Sequence, residues 1–427
     1  MAILTSLFAG VSGLSAFGTG LSVISNNIAN LNTIGFKDGQ VSFADLISSG
    51  STRAQIGRGV LVNDIRTNFA QGSFETTGSE LDLAVEGEGF FVLRDAAGAE
   101  FYSRNGAFNV SKNGLVENAE GLLLQGTQAN ATGSLLGQPS GTINLANTSF
   151  TPSQTGNISI DANLDSRAPV ISGGFLVSNP SGTSNFSTSL SMFDSLGVGH
   201  LVSIYFTKTS ATQWTYNVVV PAADTQGGTV DTIMADGTLT FGTSGELTTA
   251  STTNFPTGGF DFAGNVVQNV QPTFDFGNST ATSGTGLDGI TNFGAPSAVL
   301  TQTQDGFASG SLSSVSIDKD GIVTGLFTNG QSRTLAQVTL ARFNNQQGLS
   351  KLGDNVYVLS NESGQPIIGP PNTGGAGRVL SNSLELSNVD LAQQFIKMIE
   401  YQRGFQANSR VITTTDDLMQ ELVNLRR

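Results

Sequence analysis

The chain has 427 residues, enough for two to four domains at ~100–200 residues each, and only 12% of them are charged, about half the ~25% usual for soluble domains. Its 19 basic and 33 acidic side chains give a net charge of −14, which argues against a nucleic-acid binder and against docking on an acidic membrane surface. With no cysteine and a single histidine, His200, disulfides, thiolate nucleophiles and cysteine-based metal sites are excluded, and few enzyme mechanisms remain.

The first charged residue is Lys37. The stretch before it lacks the basic start and cleavage site of a secretory signal, and its apolar residues are interrupted by Ser, Thr, Gly and Asn. No unbroken run reaches ~18 apolar residues, so neither a signal peptide nor a membrane-spanning helix is expected. Leu7, Leu14, Leu21 and Ile28 recur every seven residues, with Leu4 and Val11 in the alternate position. That spacing predicts a helix over 1–30 with a coiled-coil-like stripe. Gly10, Gly13, Gly18 and Gly20 each cost about 1 kcal/mol relative to Ala, so this helix needs a partner to bury its stripe. Asn26, Asn27, Asn30 and Asn32 compete for helix hydrogen bonds and end it. Gly35 then supplies a turn and Phe36 an anchor.

Residues 72–148 read as antiparallel β structure. Leu81, Leu83 and Val85 alternate with polar residues, Phe90 begins a short apolar strand, and turn glycines follow at 98, 106, 114 and 121. Asn105-Gly106 and Asn113-Gly114 are type I′ hairpin signals. Residues 149–301 change composition: ten acidic against two basic side chains, rich in Ser, Thr, Gly and Asn, with strands expected at 201–207 and 214–220. They read as a second β domain inserted into the first. The earlier rhythm returns at 315–317, Asp320-Gly321, 322–327 and Asn329-Gly330. In the last 40 residues Leu391, Met398, Phe405, Ile412 and Met419 repeat every seven, with Phe395 between them and Leu422 extending the stripe. Ser387 or Asn388 is the expected cap, with Asp390 in the first turn. The fold class is mixed α and β: paired N- and C-terminal coiled-coil-like helices with nested antiparallel β domains, elongated and discontinuous. That shape suits a polymer subunit better than an enzyme.

Three local patterns resemble active sites and read better as turns. Asp194, Ser195 and His200 lie close together, but in an Asp-Ser-Leu-Gly turn rather than on a nucleophile elbow. Residues 318–321 resemble a calcium loop but lack its third acidic position and closing Glu. Gly57-Arg58-Gly59 follows no apolar strand and opens no helix, as a phosphate loop must. No catalytic, cofactor-binding or metal site is expected, and no cofactor.

The string built on Asn26, Asn27, Asn30, Asn32, Thr33, Gly35, Phe36 and Lys37 resembles the signature of bacterial flagellar rod and hook proteins. The resemblance continues through 81–91, through 102–106 with Phe108, and through 387–391, Met398-Ile399, 401–403 and 422–426. The size of the 149–301 insertion, and 193–197 followed by His200, Tyr205-Phe206 and Trp214, point to the hook branch, with a distal rod protein as the alternative. The resemblance implies a structural subunit that polymerises into a curved, flexible tube. Such a tube is a universal joint that carries motor torque from rod to filament and encloses the export channel. It implies an inner tube of 1–30 with 388–427, a connecting segment of 31–71 with 360–387, a middle domain of 72–148 with 302–359, and an outer domain of 149–301. The implied partners are further copies of the chain, the distal rod, hook cap and hook–filament junction proteins, and the flagellar type III export apparatus, with no nucleic acid and no membrane insertion. The implied location is the hook of the flagellar basal body, outside the cell after export.

Overall fold

The N-terminal helix α1 (Ala2–Ala29) is continuous over 28 residues despite its four glycines. The structure, a computed structural model, describes residues 2–47, 57–137, 141–146, 148–251, 253–264 and 269–424, with the side chains at 2–4, 47, 422 and 423 left out. Leu4, and Leu422, Val423, Leu425 and Arg426 in the closing part of the family resemblance, therefore fall outside the described side chains. The chain folds as two units. The first comprises Met1–Thr148, Ser313–Leu326 and Ser332–Arg427; the second comprises Ser149–Leu312 and Phe327–Gln331. The second unit begins at the composition change and continues past 301 to Leu312.

In the first unit, α2 (Leu391–Asn424) lies antiparallel to α1, Gly10 facing Ile412 and Asn27 meeting Gln394. The cap of α2 is Asp390, not Ser387 or Asn388: its Oδ1 accepts from the Ala392 and Gln393 amides at 2.9 and 3.2 Å. Asn388 is unavailable for capping because its amide is engaged elsewhere, as described below. After the helix exit, β1 (Gly39–Ile47) and β2 (Gly57–Thr67) form an antiparallel hairpin. The hairpin lies on α1, where Val60 N donates to Ser12 Oγ at 3.2 Å.

A large antiparallel sheet makes the β core of this unit. Phe91 stands opposite Ser103, Leu93 opposite Leu124, and Ala336 opposite Gln128. Phe90, Val92, Tyr102, Ala341, Phe343 and Tyr357 pack together in it, nearly or wholly buried. The returning chain pairs twice with the outgoing one: Arg378–Ser381 with Leu83–Glu86, and Ser383–Glu385 with Phe74–Thr76. These two short ladders bring Glu385 close to the start of the β core.

The second unit is also β. Five antiparallel strands run from Phe186–Phe193 to Leu247–Ala250 in sequence order. A three-stranded sheet joins Asn157–Asn163 to Ala298–Gln304 antiparallel and to Thr273–Asp275 parallel. Trp214, Tyr216, Phe206 and Phe262 are fully buried in its core.

Hairpin turns opened by a side-chain-bonded Asp or Ser recur in both units, and at Asn113-Gly114 such a turn replaces the expected type I′. Gly114, Gly197 and Gly321 adopt φ of 73°, 80° and 72°, and each donates its N–H to the carbonyl three residues earlier. This is a type I turn closed by a left-handed glycine, a three-residue loop. At Asp194 the side-chain Oδ1 accepts from Leu196 N and Val198 N at 2.9 and 2.7 Å, and Asp318 does the same to Asp320 N and Ile322 N. The first residue of the loop, rather than the Asn-Gly pair, sets the turn.

Within α1, Thr5–Ala29 is long and apolar enough on average to cross a membrane, which corrects the expectation of no such segment. An unbroken apolar run is indeed missing. The average over the window is nevertheless high, because no charged side chain occurs before Lys37.

Candidate assembly site at the terminal helices

The line of α1 that is buried against the rest of the unit is Gly10, Gly13, Ala16, Gly20, Ile24 and Asn27. These positions fall on one face at helical spacing. A Cβ on Gly13 would sit 2.7 Å from Asn408 Oδ1, and one on Gly20 would sit 2.6 Å from Tyr401 Cε2. From the other helix, a Cβ on Gly404 would sit 2.7 Å from Phe17 Cζ. The glycines that weaken α1 as an isolated helix are therefore what admits α2 so closely. Phe17, Phe43 and Tyr401 close the contact as a three-ring cluster, with centroids 5.8–5.9 Å apart. Such pairs contribute about 0.5–1.5 kcal/mol beyond the area they bury.

Leu7, Leu14, Leu21 and Ile28 flank this line and are half-buried. On α2, Met398, Phe405 and Ile412 are half-buried, while Leu391 and Met419 are exposed. The innermost line also repeats every seven residues, at Gly13, Gly20 and Asn27, and the row of Leu14, Leu21 and Ile28 lies one residue beside it. Small side chains, by sterics, take the closest approach.

The motif at the exit of α1 splits into two groups. Asn26 and Asn32 are exposed; Asn30 and Thr33 are half-buried and bond locally, Thr33 Oγ1 donating to Asn30 Oδ1 at 3.0 Å. Asn27, Gly35, Phe36 and Lys37 are buried. Asn27 acts as an inserted peptide unit: its Nδ2 donates to Gly39 O at 2.8 Å and its Oδ1 accepts from Gly39 N at 2.9 Å. The same Nδ2 lies 3.3 Å from Gln394 Oε1, tying the helix exit to the first turn of α2. Gly35 takes φ 67°, and a Cβ there would sit 2.6 Å from Asn105 N, so only glycine lets the exit loop lie against 104–105.

Lys37 points into the unit and its ammonium is wholly buried. It donates to Glu385 Oε1 at 2.6 Å and to Ala70 O at 2.9 Å. Glu385 Oε1 also accepts from Gly72 N at 2.9 Å. Its other oxygen lies 3.4 Å from Arg104 Nη1. Arg104 Nη2 donates to Gly87 O at 2.8 Å, and the guanidinium lies over the Phe90 ring at 5.2 Å. Burial holds both cations below their ordinary pKa values, and the Glu385 carboxylate opposes that shift in each. Asn388 completes the junction. Its Oδ1 accepts from Asp38 N at 2.8 Å, while its Nδ2 donates to Asn68 O and Ala70 O at 2.8 and 3.0 Å.

The partners of Lys37 were not legible in advance. Glu385 leaves one signal: it is a lone charge between Leu384 and Leu386. Arg104 leaves none beyond its place in the 102–106 string. His200 is buried, stacked flat on Phe262 with ring centroids 3.9 Å apart. Among the described residues no group of His, Asp and Glu is arranged to hold a metal ion.

Four family models match successive parts of the chain. Residues 7–37 match the flagella basal body rod protein model, and 84–166 the flagellar hook protein FlgE/F/G D1 domain. Residues 163–307 match the flagellar basal body protein FlaE D2 domain, and 380–425 the flagellar basal body rod FlgEFG protein C-terminal model. Lys37, Arg104 and Glu385 thus come one from each of three matched regions. The chain is 36% identical over 423 residues to flagellar hook protein FlgE of Salmonella typhimurium, covering 97% of this chain and 98% of that one. It is 35% identical over 470 residues to flagellar hook protein FlgE of Treponema pallidum, covering 100% of both. The crystal structure of Helicobacter pylori flagellar hook protein FlgE2 is 15% identical, covers 73% of this chain and 100% of that one, and superposes with a TM-score of 0.49. These relatives are matched over nearly the whole chain. On that extent of identity, the chain belongs to the flagellar hook protein FlgE family.

Proposed function

We propose that copies of this chain polymerise into the flagellar hook, a curved flexible tube that joins rod to filament, carries motor torque and encloses the export channel. The observation that supports assembly is the apolar surface its terminal helices leave uncovered. Phe8 and Val11 on α1 are 66% and 50% exposed; Phe395, Ile396 and Ile399 on α2 are 48%, 66% and 50% exposed. Apolar side chains clustered on helices call for a partner, and a neighbouring copy supplies matching ones. The rows Leu7, Leu14, Leu21, Ile28 and Leu391, Met398, Phe405, Ile412, Met419 are the proposed coiled-coil-like contacts between copies. In this reading the glycine face, with Ile412 set against Gly10, closes the subunit, and the side chains of the rows left outside that contact join subunits.

Residues 1–30 with 388–427 then form the inner tube, and 31–71 with 360–387 the connecting segment. The middle shell is 72–148 with 302–359, and the outer domain is built on 149–301. Inner contacts resist torque through dry packing. The outer surfaces, rich in Ser, Thr, Gly and Asn, slide as each subunit passes around the bend. The distal rod, the hook cap, the hook–filament junction proteins and the type III export apparatus are the proposed partners. The distal-rod alternative is disfavoured by the hook relatives matched over the whole chain.

Electron microscopy of the purified full chain at raised salt tests this, because salt screens repulsion between copies carrying −14 each. Curved tubes are expected. Straight tubes would favour the rod, and a protein that stays monomeric would overturn the proposal.

A further inference from the structure

We propose that Asn113-Gly114 is a self-modifying site, at which the folded chain converts an asparagine to aspartate and isoaspartate as it ages. The chemistry needs an asparagine amide that can turn toward the next backbone nitrogen, and a following residue without a Cβ to obstruct the ring. The chain has three Asn-Gly pairs, at 105, 113 and 329. The fold treats them differently.

Asn329 is clamped at both ends of its amide. Its Nδ2 donates to Ala308 O at 2.9 Å, and its Oδ1 accepts from Gln331 N at 3.1 Å. Asn105 is held as well: its Oδ1 accepts from Ala107 N at 3.1 Å, and its own N–H donates to Ser103 Oγ at 3.0 Å. The exit loop at Gly35 and the carbonyl of Leu83 at Gly106 leave that backbone no room to rotate. Asn113 stands at the tip of the hairpin between Asn109–Val110 and Val116–Glu117, with its side chain exposed. This turn is held by the Gly114 N–H bond to Ser111 O at 2.9 Å, by the Ser111–Leu115 pair below it, and by Gly114 O, which accepts from Leu145 N at 2.7 Å where the buried glycine lies against Ala146. The strands on either side contribute only two residues each. The backbone at 114 is packed as the one at 105 is; what differs is the side chain, exposed at Asn113 but half-buried and hydrogen-bonded at Asn105 and Asn329, so the Asn113 amide turns most readily once its short ladder opens.

The step balances with water as the only co-reactant. Base removes the Gly114 amide proton, and the nitrogen attacks Asn113 Cγ. The Cγ–Nδ2 bond breaks and ammonia leaves, giving a five-membered succinimide. Water then opens the ring at either carbonyl. One route gives aspartate; the other gives isoaspartate, with one extra atom in the backbone of the turn. Either product adds a negative charge beside Lys112. An assembled tube outside the cell would keep a record of that change in each subunit.

The test is an ageing series on the full-length chain at mildly alkaline pH, folded and in denaturant, mapped by peptide mass spectrometry with fragmentation that separates isoaspartate from aspartate. In the folded chain the peptide carrying Asn113 should convert first, with Asn105 and Asn329 still amides. In denaturant all three should convert at similar rates. An Asn113→Gln variant should remove the early product without changing the other two sites. Equal rates at all three sites in the folded chain, or faster conversion at Asn105 or Asn329, would overturn the proposal.

Discussion

Lys37 Nζ and Glu385 Oε1 are 2.6 Å apart with both side chains fully buried, although 348 positions separate them in the chain. Glu385 is shared with Arg104, so one carboxylate answers two buried cations. Together with the paired amides of Asn27 and Asn388, this contact ties the helix exit, the start of the β core and the entry to α2.

The shared carboxylate makes the two substitutions unequal. Lys37→Met leaves Arg104 and Glu385 paired and places an apolar chain of similar length in a dry site. Glu385→Ala leaves two buried cations without their counter-charge. Removing one partner of a buried pair costs about 3–5 kcal/mol, so Glu385→Ala should be the more damaging by several kcal/mol. Denaturant unfolding followed by hydrogen exchange at 34–39 and 70–72 checks the order. Equal losses would mean that Arg104 does not depend on Glu385.

Two neighbouring glycines of α1 should respond oppositely to the same substitution. A Cβ on Gly18 meets nothing within 4 Å, whereas one on Gly20 meets the Tyr401 ring at 2.6 Å. Gly18→Ala should strengthen α1 by about 1 kcal/mol through helix propensity alone. Gly20→Ala should lose that gain, because Tyr401 is held between Phe17 and Phe43 and must move. Exchange protection of α1 amides in the two variants is the measurement. Parallel gains would show that close helix approach is not needed.

Leu14→Asp or Phe405→Asp should block tube formation while the β structure keeps its melting temperature. Each places a charge at a half-buried position in a contact repeated in every subunit, at a cost of several kcal/mol per copy. Pelleting assays and electron microscopy against thermal melting separate the two effects. Assembly of either variant at the wild-type critical concentration would move the intersubunit contact elsewhere.

Acid should weaken the second unit over a defined window. The Arg167 side chain and amide bonded to Asp165 bring its carboxyl down to about 2 from 3.8. Asn278 holds Asp288 low, and at Asp305 partial burial is outweighed by bonds from the Asn157 and Gly156 amides. A depressed carboxylate contributes stability that is complete above its unfolded value and lost as pH falls through its folded value. The loss therefore belongs between about pH 4 and pH 2, and Asp165→Asn should remove part of it. Tryptophan fluorescence suits the test, since Trp214, the chain's one tryptophan, is buried in this unit.

Excising the outer domain requires a cut later than 301. Ala298–Gln304 is one strand paired along Asn157–Asn163, so a junction after 301 divides a ladder. Replacing 149–312 with a flexible Gly/Ser linker should leave the first unit folded and able to form tubes, straighter than the parent ones. A folded truncation that never assembles would assign the outer domain a part in polymerisation itself.

Both terminal helices, the end of α1 in its asparagine-rich exit, the antiparallel β character, the hairpin loops at 194–197 and 318–321, and the family were legible in the sequence. Each rests on local information: apolar periodicity, capping and turn chemistry, and short strings. The face on which α1 and α2 meet was not legible, because glycine counts against a helix until a second backbone approaches it. Nor was the turn type at Asn113-Gly114, which is settled by the bond from Gly114 N back to Ser111 O. The pairing of Lys37 with Glu385 and Arg104 is the clearest case. A lysine and a glutamate far apart in sequence carry no sign that they will be dried against each other. Only the two ladders that return the chain to 74–86 decide it, since burial makes an unpaired charge too costly to leave there.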